Sequence, residues 1–402
     1  MTDEQFAQLR SQFQIPENMV YLDGNSLGAL PKMTQSHMTD VISRQWAGEL
    51  VTGWNTCDWI DLPLSVGDQI APIVGAAAGS IVCCDNLSIN LFKALAASLE
   101  INNARTLISV EAGQFPTDSY MAQGLASLVG PERCQVQSVD VDTVTVGDLK
   151  HSAVLVLSHV DYKTGTLRDM GSITKVAHAA GSLIIWDLAH SAGVVDISLA
   201  ASEVDFAVGC TYKFLNGGPG APGFLYVSER HQHSQNPLPG WMGHARLFDF
   251  EADYDAAPGV RRFLTGTQSV LALNAVASSL SVFDGLCLTE LRQRSLSLTA
   301  HFIALWPKSA LLQGDSVIVT PLDEAKRGSQ VSLALDHAFP ISQALIDDGV
   351  VVDFREPNLI RFGFSPLYNT LTDAERGISS LESIITSKQY EAPQFQIRST
   401  VT

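Results

Sequence analysis

Basic residues are scarce in this chain. Of its 402 residues, 25 are Lys or Arg against 42 Asp or Glu, a formal net charge of −17. Such a surface repels polyanions, which argues against nucleic acid or an anionic membrane as a partner. Any anionic ligand must be held by donors placed locally. No apolar run approaches the ~18 residues that span a bilayer. The opening segment MTDEQFAQLRSQFQ is polar and lacks an apolar signal core, so a cytoplasmic location is expected. Six cysteines (Cys57, Cys83, Cys84, Cys134, Cys210, Cys287) show no CxxC spacing. They read as free, buried thiols in a reducing compartment, neither a disulfide frame nor a thiolate metal site. Repeats, low-complexity tracts and charge blocks are also missing.

What is present is core material. Hydrophobic residues make up 46% of the chain and charged ones 17%. The length exceeds what one core usually holds, so two domains are expected. From about residue 75 to 228, apolar strand candidates (Arg105–Val110, Ala153–Val160, Leu183–Leu188, Val204–Cys210, Gly223–Val227) alternate with helical stretches (Ser88–Glu100, Thr117–Val129, Ser172–Ala180). Near-continuous apolar strands separated by helices imply an α/β unit with a mainly parallel sheet covered on both faces. Ligands in such sheets gather at the strand C-terminal ends. A Pro/Gly-rich stretch, Asn236 to Gly266, is too irregular for a helix, and a long helical pattern follows over Val270–Leu305. The remainder reads as strand Ser329–Leu335, helix Ile341–Asp347, strands Val350–Phe354 and Leu359–Phe364, and a last helix from Leu371, capped by Thr370 or Thr372. This is a smaller α/β domain appended to a larger one.

Several residues at strand mouths carry chemistry. Lys213 follows a buried strand and leads into a glycine-rich turn. There its amine can be desolvated and lose its proton, as a Schiff-base lysine requires; a surface lysine beside a turn is the plain alternative. Asp187 ends the strand one α/β unit earlier, where a carboxylate keeps a pyridine nitrogen protonated; helix capping is its commoner task. His190 lies three residues on, placed to stack or hydrogen-bond near the same ring. Phe115 can cover a planar cofactor, while Asp118 either caps the following helix or faces the site. Leu87 and Ser88 open a helix, whose N–H groups and hydroxyl suit a phosphate, although Ser also serves as a simple cap. Phosphate turn, stacking aromatic, ring-nitrogen acid and lysine in that order are the layout of pyridoxal-phosphate enzymes with an aminotransferase-like fold (fold type I).

The chain further resembles the kynureninase family. Tyr21-Leu-Asp-Gly-Asn-Ser-Leu-Gly28, Phe115-Pro116-Thr117-Asp118, Asp187-Leu-Ala-His190, Tyr212-Lys213-Phe-Leu-Asn, Gly240-Trp241-Met-Gly-His244, Arg327-Gly-Ser-Gln330 and Arg361-Phe-Gly-Phe-Ser-Pro-Leu-Tyr368 are similar to its motifs, with Thr117 in place of the usual Ser. The resemblance implies hydrolytic Cβ–Cγ cleavage of L-kynurenine to anthranilate and L-alanine, with pyridoxal 5′-phosphate as a Schiff base on Lys213. That reaction belongs to tryptophan catabolism or to NAD biosynthesis. Catalysis would fall to Lys213 and, as a proton relay unless its only task is the phosphate, to Tyr212. The cofactor would be held by Leu87, Ser88, Phe115, Pro116, Thr117, Asp118, Ser158, Asp187, His190, Tyr212 and Lys213. Trp241 and Thr267 would reach in from the second subunit of a homodimer. Substrate would meet Arg361, a clamp for its α-carboxylate, together with Trp54, Asn55 and Gly266; a structural ion pair is the alternative for Arg361. Gly53-Trp54-Asn55 and Gly266-Thr267 look like the bacterial branch, which implies kynurenine as preferred substrate over 3-hydroxykynurenine. The implied division is 47–266 for the large domain and 1–46 with 267–402 for the small one.

Rival readings are weaker. A cysteine desulfurase needs a cysteine on the small domain, and none follows Cys287. An aminotransferase shares the fold, and a catalytically silent scaffold would not need Lys213, Asp187 and Arg361 together. His231 and His233 suggest a metal only weakly; they read as a solvated loop, so no metal is expected. His244 receives no role.

Overall fold

The computed structural model describes residues 3–306, 314 and 316–398. A seven-stranded sheet holds β1 (Ile81–Cys84), β2 (Leu107–Glu111), β3 (Gln135–Val139), β4 (Ser152–Ser158), β5 (Leu183–Asp187), β6 (Phe206–Cys210) and β7 (Gly223–Val227), in the order β1-β7-β6-β5-β4-β2-β3. Strands β2 to β6 run parallel, and only β7 is antiparallel to its neighbours β1 and β6. All seven residues of β4 are buried. Alternate side chains enter opposite cores: Leu155, Leu157, Ile184 and Trp186 lie on one face, Val154, Val156 and Ile185 on the other. That two-sided burial is why these strands are apolar throughout.

The helices of this layer start where local chemistry lets them. In α1 (Leu87–Ile101) the Asn86 side chain accepts from the Ile89 N–H, and in α3 (Met170–Ala179) the Asp169 side chain accepts from Ser172. Helix α2 (Pro116–Val129) starts with proline at its first position and Phe115 at the cap. Asp118 therefore does not cap α2; it lies within the first turn, fully buried.

The long helical pattern after residue 270 breaks in two, α4 (Val270–Leu280) and α5 (Leu288–Leu305), with axes bent by 86°. A 3₁₀ turn and Gly285, at φ +73°, separate them. Helix α4 buries Leu273 and Val276 in the core under the large sheet. Beyond α5, a four-stranded antiparallel sheet has the order β8 (Ser316–Ile318), β9 (Gln330–Leu335), β11 (Leu359–Gly363), β10 (Asp353–Arg355). Helices α6 (Ala338–Asp347) and α7 (Leu371–Ser387) and the Phe302 side chain of α5 pack over it. Thr370, not Thr372, caps α7, in a reciprocal capping box with Asp373. The expected strand Val350–Phe354 divides: Val350–Val351 pairs with Val20–Tyr21, and β10 starts at Asp353.

After Tyr21 the N-terminal segment threads between the two layers. Asp23 bridges to Gly363, and the Gly28 N–H donates to the Tyr212 carbonyl at 2.8 Å. A Cβ on Gly28 would lie 2.2 Å from the Lys213 carbonyl oxygen, so only glycine fits there. Among the described residues, no single helix is long and apolar enough to cross a membrane.

Candidate active site

The C-terminal ends of β4, β5 and β6 and the N-termini of α1 and α2 converge on one cavity of about 100 Å³. Its lining includes nine of the expected residues: Leu87, Ser88, Phe115, Thr117, Ser158, Asp187, His190, Tyr212 and Lys213. Larger hollows of about 620 and 800 Å³ lie elsewhere; the second is lined by His159, Asp142, Asp169, Asp196 and Lys326, but its acids and lysine are exposed to water, whereas Asp187 and His190 beside Lys213 are buried. Chemistry, not volume, selects the site.

Lys213 lies three residues past the end of β6, and its Nζ sits 2.8 Å from His190 Nε2. Burial lowers the ammonium's pKa, with Asp187 and Cys210 working against the fall. His190 is held well below the usual imidazole range, first by burial and then by the Lys213 charge. A neutral ring accepting from Lys213 through Nε2 carries its proton on Nδ1, which is buried without a partner. Asp187 Oδ1 accepts from the Ala189 N–H at 2.7 Å, and burial raises its carboxyl despite that bond. Behind it Asp118 is raised further, by burial and then by the Asp187 charge, and neither of its carboxylate oxygens has a partner.

Phe115 is half-exposed above the cavity, its ring 5.2 Å from Tyr162 in an edge-on arrangement. Ser88 Oγ and Thr117 Oγ1 are 3.3 Å apart, joining the first turns of α1 and α2. Ser158 is clamped from behind: its N–H donates to Glu111 at 2.9 Å, and Arg168 pairs closely with the same carboxylate. Tyr162, Val160 and Ala189 also line the cavity and were not foreseen, although each lies just beyond a strand end. Two helix N-termini, an aromatic cover, buried Asp187 and the partnerless carboxyl of Asp118 behind it fit a planar, phosphate-bearing heterocycle with a protonated nitrogen.

Other expected residues lie outside this cavity. Pro116 opens α2. Trp54 and Asn55 sit on a short helix, Gly53–Thr56, where the Trp54 ring meets Trp59 edge-on at 5.8 Å. Trp241 is 40% exposed, and neither it, Gly266 nor Thr267 lines its own chain's cavity. Arg361 is 1% exposed in β11, with Nε 2.6 Å from Asp353 Oδ1 and Nη1 2.6 Å from the Tyr162 carbonyl oxygen.

Two smaller readings change. His231 is not solvated: it is buried, stacked on Phe206, with Nε2 2.8 Å from Asp205 Oδ1. All six cysteines are free, but Cys57 is half-buried and Cys287 exposed. His244 Nδ1 accepts from the Arg246 N–H at 2.9 Å, a contact that shapes its loop.

Comparison with known proteins settles the family. The kynureninase C-terminal domain matches residues 291–381. A kynureninase from Burkholderia pseudomallei is 42% identical over 407 residues, covering 100% of this chain and 97% of that protein. Another from Deinococcus radiodurans is 44% identical over 385 residues, covering 94% of this chain and 93% of that one. The chain belongs to the kynureninase family.

It is therefore an enzyme, with the aminotransferase-like α/β fold expected from the order of the residues at its strand ends. That fold is shared with a cysteine desulfurase from Thermococcus onnurineus (TM-score 0.78, 18% identity, 95% of this chain and 98% of that one). It is also shared with a C-DES mutant carrying glycine covalently linked to its PLP cofactor (TM-score 0.77, 16% identity, 93% and 98% covered). At such identities the likeness concerns fold alone, and this chain has no cysteine after Cys287 for desulfurase chemistry.

Proposed function

We propose that this chain hydrolyses the Cβ–Cγ bond of L-kynurenine to anthranilate and L-alanine, using pyridoxal 5′-phosphate bound at Lys213. The observation that carries the reading is the Lys213 amine, depressed in pKa and touching His190, in one cavity with buried Asp187, behind which lies buried Asp118. Family membership over the full chain supports the substrate. When bound, pyridoxal phosphate supplies an electron sink for charge left on the substrate carbons.

The chain's own groups do the rest. The first-turn N–H groups of Leu87 and Ser88, the Ser88 hydroxyl and the Tyr212 phenol hold the phosphate. Phe115 covers the ring, Asp187 keeps a proton on the ring nitrogen, and Asp118 and His190 support it, with Pro116, Thr117 and Ser158 shaping the wall. Arg361 binds the substrate α-carboxylate. Lys213 takes the proton from Cα, for which a lowered pKa is needed at neutral pH. Water then adds at the γ-carbonyl, and Tyr212, whose phenol burial keeps protonated, relays a proton toward Cβ.

The enzyme acts as a homodimer in the cytoplasm, with a large domain that runs from 47 past the expected 266 to include α4, whose Leu273 and Val276 pack under the large sheet, and a small domain made of 1–46 and the rest of 267–402. Apolar side chains left bare on a single chain support a second copy: Ile42, Trp46, Leu50 and Val51 on one segment, and Trp241, Phe248 and Phe250 on another. Trp241, Gly266 and Thr267 then complete the partner's site, and Trp54 and Asn55 meet the aromatic end of kynurenine, favoured over 3-hydroxykynurenine.

Anthranilate fluorescence on adding kynurenine, with and without added pyridoxal phosphate, tests the reading. Lys213→Ala is expected to cut turnover at least about 10³-fold and remove the cofactor's visible absorbance. Retention of either refutes the assignment.

A further inference from the structure

Arg361 does not stand alone. Across the β10–β11 ladder Asp353 is its direct partner, fully buried, and takes both Nε, at 2.6 Å, and Nη2. The same carboxylate accepts from the Ser26 hydroxyl and forms an ion pair with Arg355, whose Nη2 lies 2.8 Å away. Ser26 Oγ in turn accepts from Arg361 Nη2 at 3.1 Å, and the Tyr162 carbonyl from Nη1 at 2.6 Å. A guanidinium has five N–H bonds in one plane, so these contacts fix the plane and leave an Nη1 N–H for another acceptor. Arg355 differs from Arg361: its side chain is 34% exposed against 1%. Arg355 Nη1 donates to the Phe354 carbonyl at 2.9 Å.

A single Arg–Asp pair has no net charge and gives an incoming carboxylate little attraction. Two arginines on one aspartate leave one positive charge over. We infer that Asp353 and Arg355 are positioning residues for the substrate carboxylate. Asp353 turns the guanidinium of Arg361 so that its outer edge meets that group, and Arg355 supplies the surplus charge that attracts it. The inference rests on Arg361 being the carboxylate clamp. It adds that a second arginine, outside the Lys213 cavity as Arg361 is, sets affinity for α-amino acids over amines.

Purified holoenzyme carrying Arg355→Gln, Arg355→Lys or Asp353→Asn is assayed with kynurenine, and its inhibition by the decarboxylated amine of kynurenine is measured alongside. Arg355→Gln is expected to raise KM for kynurenine about tenfold with kcat within about twofold. The amine's inhibition constant stays unchanged, and Arg355→Lys restores most of the loss. Asp353→Asn raises KM at least as much. If it fails to fold, the half-exposed Arg355 carries the test. An unchanged KM in Arg355→Gln, or equal weakening of kynurenine and amine, overturns the inference. Arg361→Lys separates the underlying reading: if it leaves KM untouched, Arg361 is not the clamp and the reading of the site fails first.

Discussion

At the scale of single residues, the site is governed by which charges burial permits. Asp23 lies beside the Arg361 cluster, where Tyr21, Ser26, Asp353, Arg355 and Arg361 all bear on it. Its Oδ1 is buried without a partner, and its carboxyl is pushed up to about 7 by burial and then by the Asp353 charge. Below that pH Asp23 is neutral and the cluster keeps one positive charge. Above it, ionised Asp23 cancels that charge next to the carboxylate site. KM for kynurenine is therefore expected to rise about three- to tenfold as pH climbs through 7. Asp23→Asn should remove this rise while leaving KM on the acid side in place. Initial rates of both proteins across the range decide it, and an identical KM–pH profile for the two proteins would exclude Asp23 as the titrating group.

Secondary-structure elements show where the sequence was readable and where it was not. Strands β2, β4, β5, β6 and β7 were legible because burial on both faces leaves them almost no polar positions. β1 is an apolar run of only four residues, Ile-Val-Cys-Cys, too short to stand out, and β3 is an edge strand in which Gln135, Gln137 and Ser138 interrupt the apolar pattern and no residue is fully buried. The strand-mouth residues that line the cavity could be picked out from local order alone. The Asp353–Arg361 pairing could not, because it depends on sheet register. Distance along the chain likewise hid Asp205, just before β6. Its carboxylate is 1% exposed and collects the Ile184 N–H, His178, Arg230 and His231, joining β5, the end of α3 and the turn after β7. Burial alone would raise its pKa, but the hydrogen bonds from His178, His231 and Arg230 outweigh it and hold the carboxyl well below the usual range. A depressed acid contributes its stability in full above its unfolded pKa and loses it as pH falls toward the folded value. Stability is thus expected to fall below about pH 4. Asp205→Asn should cost about 3–5 kcal/mol at neutral pH, seen as a lower denaturation midpoint, and should flatten that acid limb. An unchanged midpoint would mean that the cluster is an ornament of the surface rather than a tie between strands.

For the whole molecule, the decisive question is whether one chain owns a complete site. In a single chain, Lys213 and Asp187 share a cavity from which Trp241, Gly266 and Thr267 are absent. The backbone around those outlying residues is nevertheless built firmly: Met242 N–H donates to the Thr265 carbonyl, and buried Lys93 donates to the Phe263 carbonyl and pairs with Asp85, just ahead of α1. A rigid arm that misses its own cavity is consistent with one that serves a neighbour's. Complementation tests this without a structure of the pair. Lys213→Ala lacks the lysine but keeps the arm; Trp241→Ala/Thr267→Ala keeps the lysine but lacks the arm. Each variant alone should be nearly inactive. Unfolded together and refolded in equal amounts, they form mixed dimers in which one of the two sites pairs an intact lysine with an intact arm. Random assortment then restores about one quarter of wild-type activity. If both groups belonged to the same chain's site, every site in every dimer would carry one lesion, and mixing would restore nothing.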